Sequence, residues 1–284
     1  EDMDKAVQEY QDTYNDTPQD ELGGFSPIQT SQLLNSQIDM PDCALKLNHE
    51  LSLKEIESIH FIQNTRTFLR LMEEEGEVKA TKKLGNLNRN FVEKLIDSCI
   101  IEEREREAMF RFNKVFNEED YREGHIIRLL CEIAGLIKKR KDTFSITKTG
   151  SKYRNDLHAG ALYTSLFNAH FCKFNLGYLD GYPDFPEIQQ TIAFSLAAIK
   201  DKPRKWISLA EMASGLILPG IAMNILNNEG PRDYVSLCEV RILRHLFRFG
   251  LLEAEFDTER KYWSDPERYK KAPLFDKFIR VEFS

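Results

Sequence analysis

The sequence predicts a mostly helical α+β protein in which two winged-helix-like units are joined by an aromatic-rich helix. Residues 65–147 follow the order helix, strand, helix, helix, strand, hairpin, strand, which is the order that a winged helix requires. Residues 188–284 repeat this order without repeating its residues. Between the two, aromatic residues recur every three or four positions, which is the spacing of one helix face.

The first unit is predicted from apolar spacing and from its turn residues. Apolar side chains at helical intervals indicate three helices, and Gly76 ends the first of them. The predicted helices are residues 65–75, 90–100 and 121–134. Short apolar runs indicate strands, and a charged hairpin separates the last two. The predicted strands are residues 78–81, 136–137 and 144–146.

The second unit is predicted from the same order of elements. Ser208 and Glu211 have the spacing of a capping box and open a helix. Further helices are predicted over residues 188–199 and 233–249, and a short strand over residues 206–207. Residues 251–256 and 278–283 are predicted to be the two strands of its hairpin.

Five segments are therefore expected along the chain. Their limits follow shifts in composition and the predicted elements. Residues 1–24 are an acidic flexible tail or a loosely docked helix, 25–64 a helical extension, 65–155 the first winged-helix-like unit, 156–187 the aromatic connecting helix and turn, and 188–284 the second unit.

Composition limits the classes of function. The formal net charge of −7 argues against general coating of nucleic acid. Residues 1–62 hold thirteen acidic and three basic side chains, so the rest of the chain is slightly basic. Five scattered cysteines predict free thiols in a reducing compartment. With no apolar run of membrane length and a charged N-terminus, we expect a cytoplasmic protein with no membrane partner.

A local surplus of positive charge marks the first hairpin. Residues 136–154 carry seven basic side chains and one acidic side chain, Asp142. Such a hairpin predicts weak, salt-dependent binding of DNA or RNA. A solvated hairpin that only prevents aggregation, or one that binds an acidic protein, explains the same charges. The candidate residues are Lys138, Lys139, Arg140, Lys141, Lys148, Lys152 and Arg154, with Arg128 on the preceding helix, where it is expected to face outward with Glu123 and Glu132.

The aromatic stripe has three interpretations. It is a buried core, the seam of a homodimer or protein partner, or a platform on which bases stack. Stacking platforms interleave aromatic residues with cations, and only Lys173 is nearby, so the core is favoured. The candidate interface residues are Tyr163, Phe167, Phe171, Phe174 and Tyr178.

No pattern of residues indicates catalysis, a metal or a cofactor. His170 and Cys172 lack the further ligands that zinc requires. Asp180, Asp184 and Glu187 lie in a turn rich in glycine and proline, where carboxylates usually accept hydrogen bonds from the backbone. We therefore expect a non-enzymatic binding protein, possessing no cofactor and no metal, that acts on nucleic acid or in regulation. The alternative is a protein–protein adaptor that uses winged helices as scaffold and the aromatic helix as interface.

Four separated segments resemble a family of uncharacterised bacterial proteins. Residues 78–92 (VKATKKLGNLNRNFV) are similar to its pattern vKLTakGNLnrafV. Residues 136–150 (LIKKRKDTFSITKTG) are similar to a Glvrkrkgrl.LTkkG segment, and FNLGYLDGY at 174–182 resembles FNlaYLDgy. SPIQ at 26–29 resembles the opening lSPeqm. The resemblance covers about residues 25–190 and implies no established activity and no catalytic residue.

Overall fold

The fold is that of a computed structural model, which describes residues 2–112, 114–178, 180–256 and 266–283. These residues are mostly helical with small sheets, which confirms the predicted α+β class. The helices are α1 (Asp2–Asp16), α2 (Pro27–Leu34), α3 (Leu53–Ile56), α4 (His60–Glu75), α5 (Arg89–Ser98), α6 (Glu103–Phe112), α7 (Arg122–Ile133), α8 (Lys148–Tyr153), α9 (Ala159–Asn168), α10 (Pro186–Gln190), α11 (Ile192–Lys200), α12 (Leu209–Ala213), α13 (Pro219–Asn228), α14 (Pro231–Cys238), α15 (Arg244–Arg248) and α16 (Pro273–Phe278). The strands are β1 (Leu45–Leu47), β2 (Val78–Lys79), β3 (Ile137–Arg140), β4 (Thr143–Ile146), β5 (Ile207–Ser208), β6 (Leu252–Glu255), β7 (Arg268–Lys271) and β8 (Ile279–Val281).

The chain divides into two compact units. The central unit is His49–Phe174, and the split unit combines Glu1–Asn48 with Asn175–Ser284. Within the split unit, β1 pairs antiparallel with β8, and Leu45 lies opposite Val281. This small sheet joins the two segments of the split unit. The five segments expected from the sequence stay a prediction.

The central unit holds a three-stranded antiparallel sheet in the order β2-β4-β3. Helix α4 packs against α7, α5 and β4 through a face that includes Phe68 and Met72, both fully buried. It begins at His60, one turn and a half earlier than predicted, because Phe61 and Ile62 are also buried. Helical propensity alone does not set that boundary, and tertiary packing extends the helix.

The split unit holds a second three-stranded antiparallel sheet, in the order β5-β7-β6. The predicted strand over residues 251–256 is confirmed as β6. The predicted partner over residues 278–283 is wrong, because β6 pairs with Arg268–Lys271, while Ile279–Val281 pairs with β1. Three of the four residues in β7 are cations, so its sequence lacks the apolar alternation by which strands are recognised.

Each unit contains a π-helical segment within or at the end of a helix. Ala169–Lys173 follows α9 in the central unit, and Glu239–Leu243 lies between α14 and α15 in the split unit. The predicted helix over residues 233–249 therefore forms with one wider turn inside it. Such turns displace the side chains that follow them around the helix axis.

The N-terminal residues form helix α1, one of the two states expected for them. The side chains of residues 3–16 are exposed. The chain then turns at Gln19, whose amide donates to the Phe25 carbonyl at 3.1 Å, and the Phe25 ring contacts Phe194 at 5.4 Å between centroids. Ser26 caps α2 through a capping box with Gln29. The N-terminal segment is thus attached to the split unit through α2, the turn at Gln19 and the Phe25 ring.

Candidate nucleic-acid interface

The cations predicted to bind nucleic acid lie mainly on the β3–β4 hairpin. Lys138 is opposite Ser145, and Arg140 is opposite Thr143. The strands are connected by Lys141 and Asp142, and Lys141 has a φ of +54°, which is uncommon for a residue with a β-carbon. The charged residues form strands here because Phe144, in the middle of β4, is fully buried and fixes the register.

The outward face of this sheet is a row of cations and hydroxyl groups. Side chains alternate between the two faces of a strand, so Lys138 and Arg140 share one face of β3. On β2, Lys79 lies opposite Thr143, which in turn lies opposite Arg140. Basic side chains and hydroxyl groups are the donors that bind phosphate oxygens. Lys79 was missed by sequence reasoning, because only the pairing of β2 with β4 brings it beside the hairpin.

The outward cations of the hairpin are not neutralised by the described part of the chain. Lys138, Arg140 and Lys141 are exposed, and among the described residues none makes an ion pair or a side-chain hydrogen bond. Helix α8 follows the hairpin and presents Lys148 and Lys152, which are also exposed. The hairpin therefore holds positive charge that is available to an external anion.

Helix α8 is placed directly after the hairpin by a tight turn. Thr147 is its N-cap, and its hydroxyl group accepts from the Gly150 amide at 3.1 Å. A β-carbon on Gly150 would lie 2.1 Å from the Leu136 carbonyl oxygen. Only glycine permits this approach, which explains the glycine that ends the Thr147–Gly150 turn.

Lys139 differs from its neighbours, because its side chain makes contacts with other residues of the protein. Its Nζ donates to the Gly85 carbonyl at 2.7 Å and lies 5.2 Å from the centre of the Phe144 ring. Both contacts are on the inner face of the sheet, away from Lys138 and Arg140. Lys139 thus joins the hairpin to the loop that follows β2.

Two other predicted residues are engaged in ion pairs. Arg154 is exposed and pairs with Glu73 at 2.5 Å. The prediction that Arg128 faces outward is wrong, because it is 7% exposed and pairs with Glu118 at 2.8 Å and Glu132 at 3.1 Å. The helical periodicity of α7 predicts an exposed Arg128, but the buried carboxylate of Glu118, which lies outside the helix, pairs with the guanidinium and holds it inward.

Glu118 is the centre of this buried network. It is 2% exposed and accepts from Arg128, from His125 at 2.6 Å and from the Leu87 amide. Burial alone would raise the pKa of Glu118, but these hydrogen bonds outweigh burial and hold the pKa below its ordinary value. The carboxylate therefore stays charged and fixes α7 relative to the loop that precedes α5.

The aromatic stripe is buried over most of its length. Tyr163, Phe167 and Phe171 are fully buried, and Phe174 is 6% exposed. The prediction that Tyr178 shares this helix face is wrong, because the helix ends at Lys173; Tyr178 lies beyond it and is half-buried. An interface built from these side chains would require the helix to leave its place in the folded chain. The arrangement is the one expected of a core.

The described residues offer no centre for metal chemistry. Within that part of the chain, no three His, Cys, Asp or Glu side chains are grouped as metal ligands. Asp180 is instead paired with the buried Arg241 at 2.7 Å. The described helices also include none with the length and apolar character needed to cross a bilayer.

Residues 57–159 match the model of the Y4jL N-terminal domain family. This family is poorly characterised, and the match agrees with the resemblance to an uncharacterised family seen in the sequence. The matched range includes β2, the β3–β4 hairpin and α8, so the candidate interface lies entirely inside it. Neither the curated proteins nor the solved structures include a match to the chain.

Proposed function

We propose that the chain is a non-enzymatic protein that binds nucleic acid through the outward face of the β2-β4-β3 sheet. The observation that carries the proposal is the row of Lys79, Thr143 and Arg140, extended by Lys138 and Lys141. These cations are exposed, and those of the hairpin have no acidic partner among the described residues. Phosphate groups match both the charge and the hydroxyl donors of this face.

The proposal includes a winged-helix arrangement in each unit. In the central unit it is supported by the order α4, β2, α5, α7, β3, β4, with α6 between α5 and α7, and by the strand order β2-β4-β3. In the split unit it is supported by the order α11, β5, α12, α14, β6, β7, with α13 before α14 and α15 after it, and by the matching strand order. The β3–β4 hairpin then has the position of a wing.

The proposed interface contacts the phosphate backbone and does not distinguish between bases. Every residue of α7, the helix in the recognition position, is described, and only Arg122 is exposed. Base readout needs several side chains that reach into a groove. We therefore expect affinity that varies little with sequence, with a dissociation constant of about micromolar or weaker, since non-specific binding falls in that range.

We place the protein in the reducing cytoplasm as part of the proposal. Its five cysteines, all of them described, form no disulfide, and four of them are buried. Buried thiols of this kind act as small apolar side chains. Their state supports a reducing compartment, while the charged interface requires access to nucleic acid there.

The test measures binding to a short DNA duplex by fluorescence anisotropy over a series of salt concentrations. Each phosphate contact contributes about −0.9 to the slope of log K against log salt. Changing Lys138, Arg140 and Lys141 to Glu should abolish binding at low salt. The matched control changes the exposed Lys54, Lys114 and Lys205 to Glu, which alters net charge equally.

The control variant should keep most of the affinity. If the wild-type protein does not bind duplex DNA at low salt, the proposal is wrong. It is also wrong if the two variants lose affinity equally, because net charge would then explain the binding. Lys139 is left unchanged in this test, since its contact with Gly85 supports the fold.

A further inference from the structure

We propose that the loop between β2 and α5 is a second part of the same polyanion-binding surface. In this proposal Lys82 and Lys83 contact phosphates, and Lys139 is a positioning residue that holds the loop beside the hairpin. The inference rests on the proposed function and deepens it. Lys82 and Lys83 lie more than fifty positions from the hairpin in the chain, so the sequence alone does not associate them with it.

The loop is closed by its own hydrogen bonds. The Thr81 amide donates to the Asn86 carbonyl at 2.7 Å, and the Gly85 amide donates to the Thr81 carbonyl at 2.9 Å. The Thr81 hydroxyl group accepts from the Asn86 amide at 3.1 Å. At its base, Ala80 and Leu87 form an antiparallel bridge. Lys82 and Lys83 are therefore displayed on an ordered turn, which lowers the entropy cost of binding.

The loop is attached to the hairpin at two points. The Ala80 amide donates to the carbonyl of Asp142, at the hairpin tip, at 2.8 Å. Lys139 reaches from β3 to the Gly85 carbonyl at 2.7 Å. The first bond brings the start of the loop beside the hairpin tip that carries Lys141, and the second holds Gly85 on the inner side of the sheet. The loop therefore adjoins the outward face of the hairpin at its tip.

The far side of the loop is fixed to the buried network. Glu118 accepts from the Leu87 amide, and the Asn86 side chain donates to Glu119 at 3.0 Å. The loop is thus held both by the hairpin and by the segment before α7. A surface held on two sides keeps its cations at constant spacing, as a regular phosphate backbone requires.

Lys82 and Lys83 are free to bind an external anion. Both are exposed, and among the described residues neither makes an ion pair or a side-chain hydrogen bond. In the proposal they continue the cations of the outward face, Lys79, Lys138, Arg140 and Lys141, around the hairpin tip onto a second segment of the chain.

The partner that fits this surface is the phosphate backbone of a nucleic-acid duplex. Single-stranded binders stack bases on exposed aromatic rings. In residues 78–88 and 137–146, all of which are described, the one aromatic side chain is Phe144, and it is fully buried. A surface of cations without rings contacts regularly spaced phosphates and offers unpaired bases nothing to stack on.

The experiment compares salt slopes for three proteins, using a short DNA duplex and a single strand of equal length. Lys82 and Lys83 are changed to Gln in one variant, and Lys54 and Lys205 are changed to Gln in the matched control. Loss of two phosphate contacts should flatten the slope by about 1.8, at about 0.9 per contact. The control should keep the wild-type slope, and the wild type should prefer the duplex.

The positioning role of Lys139 is tested by a double-mutant cycle. Lys139→Met keeps the apolar stem over Phe144 but removes the hydrogen bond to Gly85. In the wild-type background it should flatten the slope by more than one contact and speed amide hydrogen exchange in the loop. In the Lys82→Gln, Lys83→Gln background the same change should alter the slope little, because the cations that it positions are absent.

The outcomes separate the two proposals. If the loop variant keeps the wild-type slope while the hairpin variant loses binding, the inference about the loop is wrong and the proposed function stands. If the wild type fails to bind any nucleic acid, the proposed function fails first. Binding to vesicles that contain phosphatidylserine, without binding to duplex DNA, would overturn the choice of partner. If Lys139→Met flattens the salt slope as much in the Lys82→Gln, Lys83→Gln background as in the wild type, Lys139 does not act by positioning the loop.

Discussion

The two three-stranded sheets share a strand order but differ in how their charges are paired. In the central unit, Lys138 and Arg140 of the hairpin face Ser145 and Thr143. In the split unit, each outward cation of β7 faces an acid of β6. Cross-strand pairs of opposite charge stabilise a sheet and neutralise its surface. The same topology therefore supports either a cationic or a neutralised hairpin.

The paired charges of the split unit are close in space as well as in register. Lys270 lies opposite Glu253 with 2.7 Å between Nζ and the carboxylate, and Arg268 lies opposite Glu255 at 3.4 Å. The ring of Trp206 also lies 4.9 Å from the Lys270 Nζ. The outward cations of β7 are therefore already paired with acidic or aromatic side chains of the same unit. The comparison shows that function must be argued from the site and not from the fold that carries it.

Both units also bury a glutamate that binds an arginine. Glu118 serves the central unit, and Glu239, which is fully buried, pairs with Arg244 at 2.5 Å in the split unit. Glu239 is further bonded to Tyr269 of β7 at 3.2 Å, whereas Glu118 is bonded to the loop through Leu87. The Glu239 network supports the middle strand of a sheet, whereas the Glu118 network supports a loop that we propose to be functional.

The largest expected effect is the loss of stability when a buried ring is removed from the π-helical segment of the central unit. Phe171→Ala should lower the free energy of unfolding by about 3–5 kcal/mol, the usual cost for a fully buried phenylalanine. Phe247→Ala in the split unit is the control, because that ring is 39% exposed and should cost about 1 kcal/mol. Urea denaturation measures both, and size-exclusion chromatography measures size. If the Phe171→Ala protein is folded but smaller than the wild type, the stripe is the seam of a dimer and not a core.

The next effect concerns the two buried glutamates. Glu118→Gln leaves Arg128 and His125 without their carboxylate and should cost about 3 kcal/mol, as expected when one partner of a buried pair is removed. Glu239→Gln should cost a similar amount in the split unit. Urea denaturation at neutral pH gives both values. A loss below about 1 kcal/mol for Glu118→Gln would show that solvent or side-chain rearrangement replaces the carboxylate.

The same variant has a distinct dependence on pH. Because the folded-state pKa of Glu118 is lowered from 4.5, its carboxylate stabilises the fold above that value, and the stabilisation is lost as the pH falls through the folded pKa. Wild-type stability should therefore fall below about pH 4.5 more steeply than that of Glu118→Gln. Parallel curves would mean that Glu118 does not control acid unfolding.

The sequence predicted the elements better than it predicted their surfaces. Helix α12 and the β3–β4 hairpin form where expected, since the Ser208–Glu211 capping box and the buried Phe144 are local signals. Arg128 was misplaced because the carboxylate that draws it inward, Glu118, lies outside its helix. Lys82 and Lys83 were missed because their neighbours are brought together by pairing of distant strands. Local patterns predict elements, whereas long-range pairing decides which charges meet.

The comparison of hairpins can be sharpened by removing the acids of the split unit. Changing Glu253 and Glu255 to Gln frees Lys270 and Arg268, so the variant should gain affinity for duplex DNA and a slope steeper by up to about 1.8, at about 0.9 per contact. The measurement is made in a protein whose Lys138, Arg140 and Lys141 are already Glu, so that the first hairpin does not contribute. No gain would mean that cations on a sheet face are insufficient and that the loop is needed too.

The smallest effect separates charge from backbone conformation at the tip of the first hairpin. Lys141 has a φ of +54°, and asparagine adopts this left-handed conformation at lower cost than lysine. Lys141→Asn should therefore raise the free energy of unfolding by up to about 0.5–1 kcal/mol. It should also remove one cation and flatten the salt slope by about 0.9.

Lys138→Asn is the matched variant, because it removes the same charge from the middle of β3 on the same outward face. There asparagine is a poor strand former, so the protein should be slightly less stable, while its salt slope flattens by the same amount as for Lys141→Asn. Opposite changes in stability with equal changes in slope would show that binding depends on the charge alone. A larger change in slope for one of the two would instead show that the polyanion contacts that position more closely, and would locate it along the hairpin.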